Sequence, residues 1–395
     1  MIQSAKLAIR KDSLLLIFLV LPFFMSNQII KILNLNSLLT VWRLFSFTYI
    51  IAAYVHIKKL PSKLTMLLLG LWNILMISSI LSENSVYAAF MKILTLFTFI
   101  FIVDYFLHKS VIGCLNGLLI IFEFLIYLNL LCIILFPKSF NGGGHEKIWL
   151  LDNYAAQLKW FLPGLCTSFA YSRFAKNKAR FYRLFIAIIL SSVLSGSATL
   201  AATTFLLVLL WNYVRKGKIN IKIKHGIVIS LVFLVCVVVL RMQNYFAFII
   251  ERLLHRNLSF TGRTAIWNSS LYMFKNRPII GYGYWVYPRM TDWAADLYTS
   301  INGEAVASHA HCQYLHFLIQ GGIIFLICFV LLNLWISKLF SSRNNSIMRF
   351  TSLIVFLIMF AGLVETMYDS PLVFLPYIIG YFSFQNMPLY ENINE

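Results

Sequence analysis

Residues 111–136 read VIGCLNGLLIIFEFLIYLNLLCIILF and contain one charged side chain, Glu123. An apolar run of this length can cross the hydrocarbon core of a bilayer as a single α-helix, which needs roughly 20 residues. Apolar and polar positions do not alternate, as they would in the strand of a membrane barrel. Because a helix satisfies its own backbone hydrogen bonds in lipid, we expect this segment to be a transmembrane helix.

Similar runs recur along the 395-residue chain, which is 60% hydrophobic and only 12% charged. This composition, with a mean hydropathy of +0.79, is typical of polytopic membrane proteins and excludes an ordinary soluble domain. We therefore predict an all-α integral membrane protein with about 12 transmembrane helices. The predicted spans are residues 13–33, 38–56, 64–82, 86–107, 111–136, 154–172, 184–197, 199–214, 226–240, 322–340, 350–367 and 371–388.

The basic residues predict how the chain is oriented. Lysine and arginine number 33, against 14 acidic residues. If both termini are cytoplasmic, 20 of the 33 lie in cytoplasmic segments, as the positive-inside rule requires. This orientation needs residues 184–214 to form two short helices that meet at Ser195-Gly196-Ser197. The positive charge then belongs beside anionic lipid headgroups, and no nucleic-acid partner is expected.

These spans divide the chain into three predicted parts. Residues 1–240 form an N-terminal bundle of about nine spans, and residues 322–395 form a C-terminal bundle of about three. Between them, residues 241–321 form one large extracytoplasmic loop. In this loop, Trp267, Leu271 and Phe274 recur at helical spacing before Arg277-Pro278, which predicts an amphipathic helix from about residue 262. The loop holds these basic residues: Arg241, Arg252, Arg256, Arg263, Lys275, Arg277 and Arg289.

Ionisable residues within apolar runs are costly in lipid and are therefore candidates for function. They are Arg43, Lys92, Asp104, Glu123, Lys159 and Glu365. For Arg43 and Glu123 the sequence leaves three interpretations open: pairing with each other or with backbone, a substrate site, or a proton relay in a transporter. The six cysteines show neither a loop-borne pairing pattern nor CxxC spacing, so we predict that they are small hydrophobic residues.

Three motifs carry a resemblance to a known family. They are Gly262-Arg263-Thr264-Ala265-Ile266-Trp267, Asn276-Arg277-Pro278-Ile279-Ile280-Gly281-Tyr282-Gly283, and His309-Ala310-His311-Cys312-Gln313-Tyr314-Leu315 followed by Gly321-Gly322. In this order they resemble the signature of the O-antigen ligase and O-antigen (capsular polysaccharide) polymerase family of polytopic membrane glycosyltransferases. The chain departs from the family pattern at Ala198, Cys312 and Phe325, where the family often has arginine, asparagine and glycine.

The resemblance implies a GT-C-like fold and glycan transfer from polyprenyl (undecaprenyl) diphosphate at the extracytoplasmic face of the bacterial inner membrane. No metal and no other cofactor is expected. The resemblance makes His311 a catalytic residue that acts as the base for the acceptor hydroxyl or orients it, with Arg263 as the second catalytic residue. It implies that the diphosphate is bound by Arg263, Arg277 and Arg289, and we expect Arg43 or Arg241 to replace the cation that is missing at Ala198. Supporting roles fall to His309, Tyr314 and Glu304.

The acceptor distinguishes the candidate activities. A polymerase transfers the growing glycan to a lipid-linked oligosaccharide repeat unit, and this is the activity we expect. A ligase transfers it to lipid A core or to a protein. A transporter of lipid-linked oligosaccharides is the alternative outside the enzymes, but it gives the ordered motifs no role. The expected partners are polyprenyl-diphosphate-linked glycans, membrane lipids and other polysaccharide-assembly proteins.

Overall fold

The computed structural model describes residues 2–141, 147–216, 219–246, 263–284, 309–343 and 345–386, with side chains from residue 11 onward except at positions 243 and 246. The N-terminal half is helical apart from one short hairpin. Its elements are α1 (Ile2–Val20), α2 (Asn27–Leu33), α3 (Asn36–Ile57), α4 (Lys63–Leu81), α5 (Val86–Lys109), α6 (Val111–Leu135), β1 (Ile148–Trp149), β2 (Asp152–Asn153), α7 (Leu158–Phe174) and α8 (Ala179–Ser195). The two strands pair antiparallel.

The C-terminal half contains six further α-helices among the described residues. They are α9 (Ala198–Arg215), α10 (Ile223–Phe233, continued by a π-helical turn Leu234–Val239), α11 (Arg263–Asn276), α12 (Gln313–Ser341), α13 (Ser346–Ala361) and α14 (Leu375–Asn386). Helix α13 is buried along most of its length and packs against α7, α9, α10 and α14. It therefore lies at the centre of the bundle.

Six helices of the described chain, namely α3, α4, α5, α6, α9 and α12, are long and apolar enough to cross a membrane. This agrees with an all-α, multi-pass membrane protein. A helix overlaps each of the twelve predicted spans, but several helices are short, so the count of twelve is not confirmed. The span predicted at residues 13–33 is broken: its two helical pieces are together long and apolar enough to cross a membrane, but the chain bends by 85° between residues 23 and 27. Ser26 caps α2 after this bend, accepting a hydrogen bond from the Ile29 amide.

The junction between α8 and α9 confirms the prediction of two short helices. Helix α8 ends at Ser195, and Gly196 takes the left-handed backbone conformation with φ of 71°. The Ser197 hydroxyl then accepts a hydrogen bond from the Leu200 amide and starts α9.

Arg43 and Glu123 do not pair with each other. Arg43 donates two hydrogen bonds to the carbonyl oxygen of Pro22, at 3.0 and 3.3 Å. Glu123 instead forms an ion pair with Arg180, with Nη2 and Oε2 2.5 Å apart. The Glu123 charge is thus neutralised between α6 and α8, which favours a structural role over a proton relay.

Helix α12 begins at Gln313, earlier than the span predicted at 322–340, and kinks at Gly322 where φ is 64°. The segment 278–284 packs along this kink. The backbone amide of Tyr282 donates to the Ile319 carbonyl at 2.8 Å, and the backbone amide of Gly283 donates to the Gln320 carbonyl at 2.7 Å. Two motifs that are separate in sequence therefore form one hydrogen-bonded unit.

We expect Gly281→Ala to destabilise this unit by about 2–4 kcal/mol. Gly281 has a φ of +66°, and an added Cβ would lie 2.5 Å from the backbone oxygen of Ile319. The measurement is thermal unfolding of the purified protein in detergent. Gly70→Ala is the matched control, because nothing lies within 4 Å of a Cβ there. Equal melting temperatures for the two variants would contradict the prediction.

Candidate active site

Helix α11 is the amphipathic helix that the sequence predicts, and it starts at the first candidate residue, Arg263. Its apolar face is anchored by the buried side chain of Trp267, whose Nε1 donates a hydrogen bond to the Ala310 carbonyl at 3.1 Å. This bond fixes the start of α11 beside the segment His309-Ala310-His311.

The two histidines lie immediately before α12, where they are not constrained by helical geometry. Their ring centroids are 4.0 Å apart, and His311 has a left-handed backbone with φ of 46°. Gln313, two residues after His311, is hydrogen-bonded to the turn after α13, which comprises residues 362–370. The backbone amide of Gln313 donates to the Gly362 carbonyl at 2.8 Å. Its side-chain Oε1 accepts from the backbone amides of Met367 and Tyr368 at 2.6 and 2.9 Å.

The turn after α13 contains Glu365, and three candidate residues lie close to the carboxylate of Glu365. Arg263 Nη2 lies 2.8 Å from Oε1. His309 Nε2 and His311 Nδ1 lie 3.7 and 3.8 Å from Oε2. The four side chains are 11 to 23% exposed, so the cluster is shielded but open to a substrate. A guanidinium, two imidazoles and a carboxylate at this spacing can hold an anion and accept a proton.

Burial sets the protonation of the proposed base. Removal from water disfavours the charged imidazolium and lowers the pKa of His311 below its usual value, although the nearby Glu365 carboxylate opposes this shift. The imidazole is therefore neutral at neutral pH and able to accept a proton.

The same cluster has the composition of a metal site. The ligand atoms of His309, His311 and Glu365 all lie within 4.8 Å of one another. However, Arg263 already occupies one oxygen of Glu365. A fixed guanidinium beside this carboxylate would repel a divalent cation and can itself neutralise a bound anion.

Two of the other predicted arginines make contacts within the same region. Arg241 Nη2 donates to the Thr264 carbonyl at 3.1 Å and to Asn268 Oδ1 at 2.6 Å, and its guanidinium lies over the Trp267 ring. Arg277 lies over the ring of Tyr282, 5.3 Å from its centroid. These contacts stabilise α11 and the turn that follows it. Binding of a diphosphate by either arginine stays a prediction.

The remaining predicted residues are not part of this cluster. Tyr314 is buried, and its hydroxyl donates to the Met359 carbonyl at 3.1 Å, between α12 and α13. Arg43 lies on α3, where Pro22 accepts its hydrogen bonds. Arg289 and Glu304 lie outside the described residues.

The sequence did not assign Glu365 to the site. Its only signal was an acidic residue near the end of an apolar run, and nothing in the sequence indicated its partners. The sequence also did not predict a second ion pair, in which Lys159 Nζ lies 2.8 Å from Asp369 Oδ1. Asp369 lies on the same turn as Glu365.

Comparison with known protein families covers part of this site. Residues 183–330 match the family described as O-antigen ligase. The match includes Arg263, His309 and His311, but Glu365 lies beyond it. A search of curated proteins finds no match. The part of this membrane protein that carries the arginine and the two histidines is therefore similar to the O-antigen ligase family.

Proposed function

We propose that the protein is a glycosyltransferase that moves a growing glycan from polyprenyl diphosphate to a lipid-linked repeat unit. The observation that carries this proposal is the convergence of Arg263, His309 and His311 on Glu365. A leaving diphosphate gains negative charge in the transition state, and an acceptor hydroxyl must lose a proton. The cluster contains one group suited to each need.

In this mechanism, the acceptor oxygen forms a bond to the anomeric carbon of the donor glycan. The bond from that carbon to the phosphate oxygen breaks, and the polyprenyl diphosphate leaves with the electron pair. His311 accepts the hydroxyl proton. Glu365 favours a proton on the Nδ1 atom that faces it, so that Nε2 is the nitrogen left to act as base.

Arg263 supplies the fixed positive charge for the leaving diphosphate. One of its nitrogens contacts Glu365. A guanidinium has five N–H donors, so others remain for phosphate oxygens. Because this charge is permanent and adjacent to the histidines, we propose a reaction that is independent of metal ions.

The proposed location is the outer face of the bacterial inner membrane. It rests on the distribution of basic residues, with both termini cytoplasmic and twelve spans, some of them short. The parts are then 1–240, 241–321 and 322–395, in a GT-C-like arrangement. In this orientation, the α11 helix and the turn after α13 both lie at the extracytoplasmic end of the bundle, where lipid-linked glycans are assembled.

The test is incubation of the purified protein in nanodiscs with one synthetic polyprenyl-diphosphate repeat unit. We expect a ladder of products, unchanged by EDTA. Product only after addition of lipid A core would identify a ligase instead. Transbilayer movement of the substrate without any product would identify a transporter and refute the proposed reaction. Loss of the ladder in EDTA, restored by a divalent cation, would refute metal independence.

A further inference from the structure

A polar cavity of about 570 Å³ lies beside the proposed active site, at the end of the bundle formed by α2, the starts of α3, α5 and α7, and the turn after α13. Three cationic side chains line it: Arg43, Lys92 and Lys159. All three lie outside residues 183–330, so the family match does not account for them.

Two of these cations form no ion pair with a carboxylate among the described residues. Arg43 contacts only the Pro22 carbonyl through its guanidinium. The ammonium of Lys92 interacts with the side chain of Tyr284, 5.8 Å from the centroid of its ring, and is also attracted by the Asp369 carboxylate. Lys159, in contrast, is paired with Asp369. Cations on apolar helices are costly unless they are compensated. Asp369 is shared by Lys159 and Lys92, and the guanidinium of Arg43 contacts only a carbonyl oxygen, so the excess positive charge of the cavity suits an anionic ligand.

The cavity is joined to the His311 cluster by two shared segments. Asp369, in the cavity wall, lies on the same turn as Glu365. Tyr284, which faces Lys92, continues the segment that packs on the α12 kink, and its carbonyl accepts a hydrogen bond from Gln320. A ligand in the cavity therefore lies next to the elements that hold the proposed base.

The rest of the lining suits a saccharide. Asn27 donates to Asp152 at 2.9 Å, and both line the cavity together with serine and threonine hydroxyls and the rings of Trp160 and Tyr284. Amides, carboxylates and hydroxyls bind sugar hydroxyl groups, and aromatic faces pack against sugar rings.

We infer that this cavity binds an anionic group of the glycan substrate, contacted by Lys92 and Arg43. The anion is either a phosphate of the lipid carrier or the carboxylate of an acidic sugar. This inference rests on the proposed function, since it takes the ligand to be part of the transferred or accepting glycan.

The test uses the full chain in nanodiscs and three probes: inorganic pyrophosphate, a disaccharide containing glucuronic acid, and the corresponding neutral disaccharide. Binding is measured by calorimetry without turnover. Loss of one charged contact should weaken binding of an anionic probe by about tenfold to a hundredfold in Lys92→Gln and in Arg43→Gln. Lys92→Arg should retain binding. Lys31→Gln is the control, because Lys31 is exposed on α2 and does not line the cavity.

Each outcome has one interpretation. Weaker pyrophosphate binding in Lys92→Gln assigns the cavity to the carrier phosphate, and weaker binding of the acidic disaccharide alone assigns it to the sugar. The inference is overturned if the wild type binds neither anion, or if Lys92→Gln and Arg43→Gln bind both as Lys31→Gln does. If the wild type transfers glycan and Lys92→Gln and Arg43→Gln bind the anionic probes normally, only this inference is contradicted. A wild type that binds the anion in the cavity but never transfers contradicts only the proposed function.

Discussion

His311→Asn is expected to lower the rate of glycan transfer by about 10² to 10⁴, which is the usual contribution of a general base. Asparagine is the informative replacement because it tolerates the left-handed backbone found at residue 311, where φ is 46°. The variant should therefore fold, yet its amide cannot accept a proton at neutral pH. The measurement is the single-turnover rate in nanodiscs, with the melting temperature recorded for each sample.

The pH dependence gives this prediction a second readout. The wild-type rate should rise with pH as the imidazole loses its proton and should level off above the pKa. Because burial lowers the pKa of His311, the midpoint of this rise should lie below the ordinary histidine value of about 6.5. In His311→Asn the rise should disappear.

Two other histidines serve as controls for the base assignment. His309→Ala should lose less activity than His311→Asn, since the resemblance makes His311 the catalytic residue. His56→Ala should behave as wild type, because His56 is exposed near the end of α3. Activity of His311→Asn within a few-fold of wild type would rule out the base role.

Local features of the chain could be predicted from sequence because they depend on neighbouring residues. The apolar periodicity of Trp267, Leu271 and Phe274 predicts α11, and Ser195-Gly196-Ser197 predicts the junction of α8 and α9. Both signals lie within the element that they describe, so no knowledge of the tertiary structure is needed.

The composition of the Glu365 cluster could not be predicted in this way. Glu365 follows Arg263 by 102 positions, and their contact depends on where α13 ends and on how Gln313 holds the following turn. Likewise, the partner of Lys159 is 210 positions away. The sequence indicated that these charges needed compensation in lipid, but only the packing of the bundle determines which group compensates each one.

Arg263→Ala is the second change with a large expected effect, a loss of about 10² to 10³ in kcat/KM, comparable to removing one donor to a developing negative charge. Arg263→Lys keeps the charge but loses the planar arrangement of donors that can contact two phosphate oxygens, so it should restore only part of the activity. Binding of a non-transferable polyprenyl diphosphate should weaken in Arg263→Ala and stay near normal in His311→Asn. Lys275→Ala, an exposed change on the same helix, should leave both quantities unchanged.

The ion pair with Glu365 offers a competing explanation, because Arg263→Ala also removes the partner of a shielded carboxylate. Glu365→Gln removes that carboxylate charge, so the double variant Arg263→Ala/Glu365→Gln separates the two roles. If Arg263 serves only to neutralise Glu365, the double variant should bind the lipid diphosphate and turn over as Glu365→Gln does. If Arg263 contacts the diphosphate, the double variant should be markedly weaker than Glu365→Gln in both measurements. We expect the second result, because the donors of Arg263 that do not contact Glu365 are the ones assigned to the phosphate oxygens.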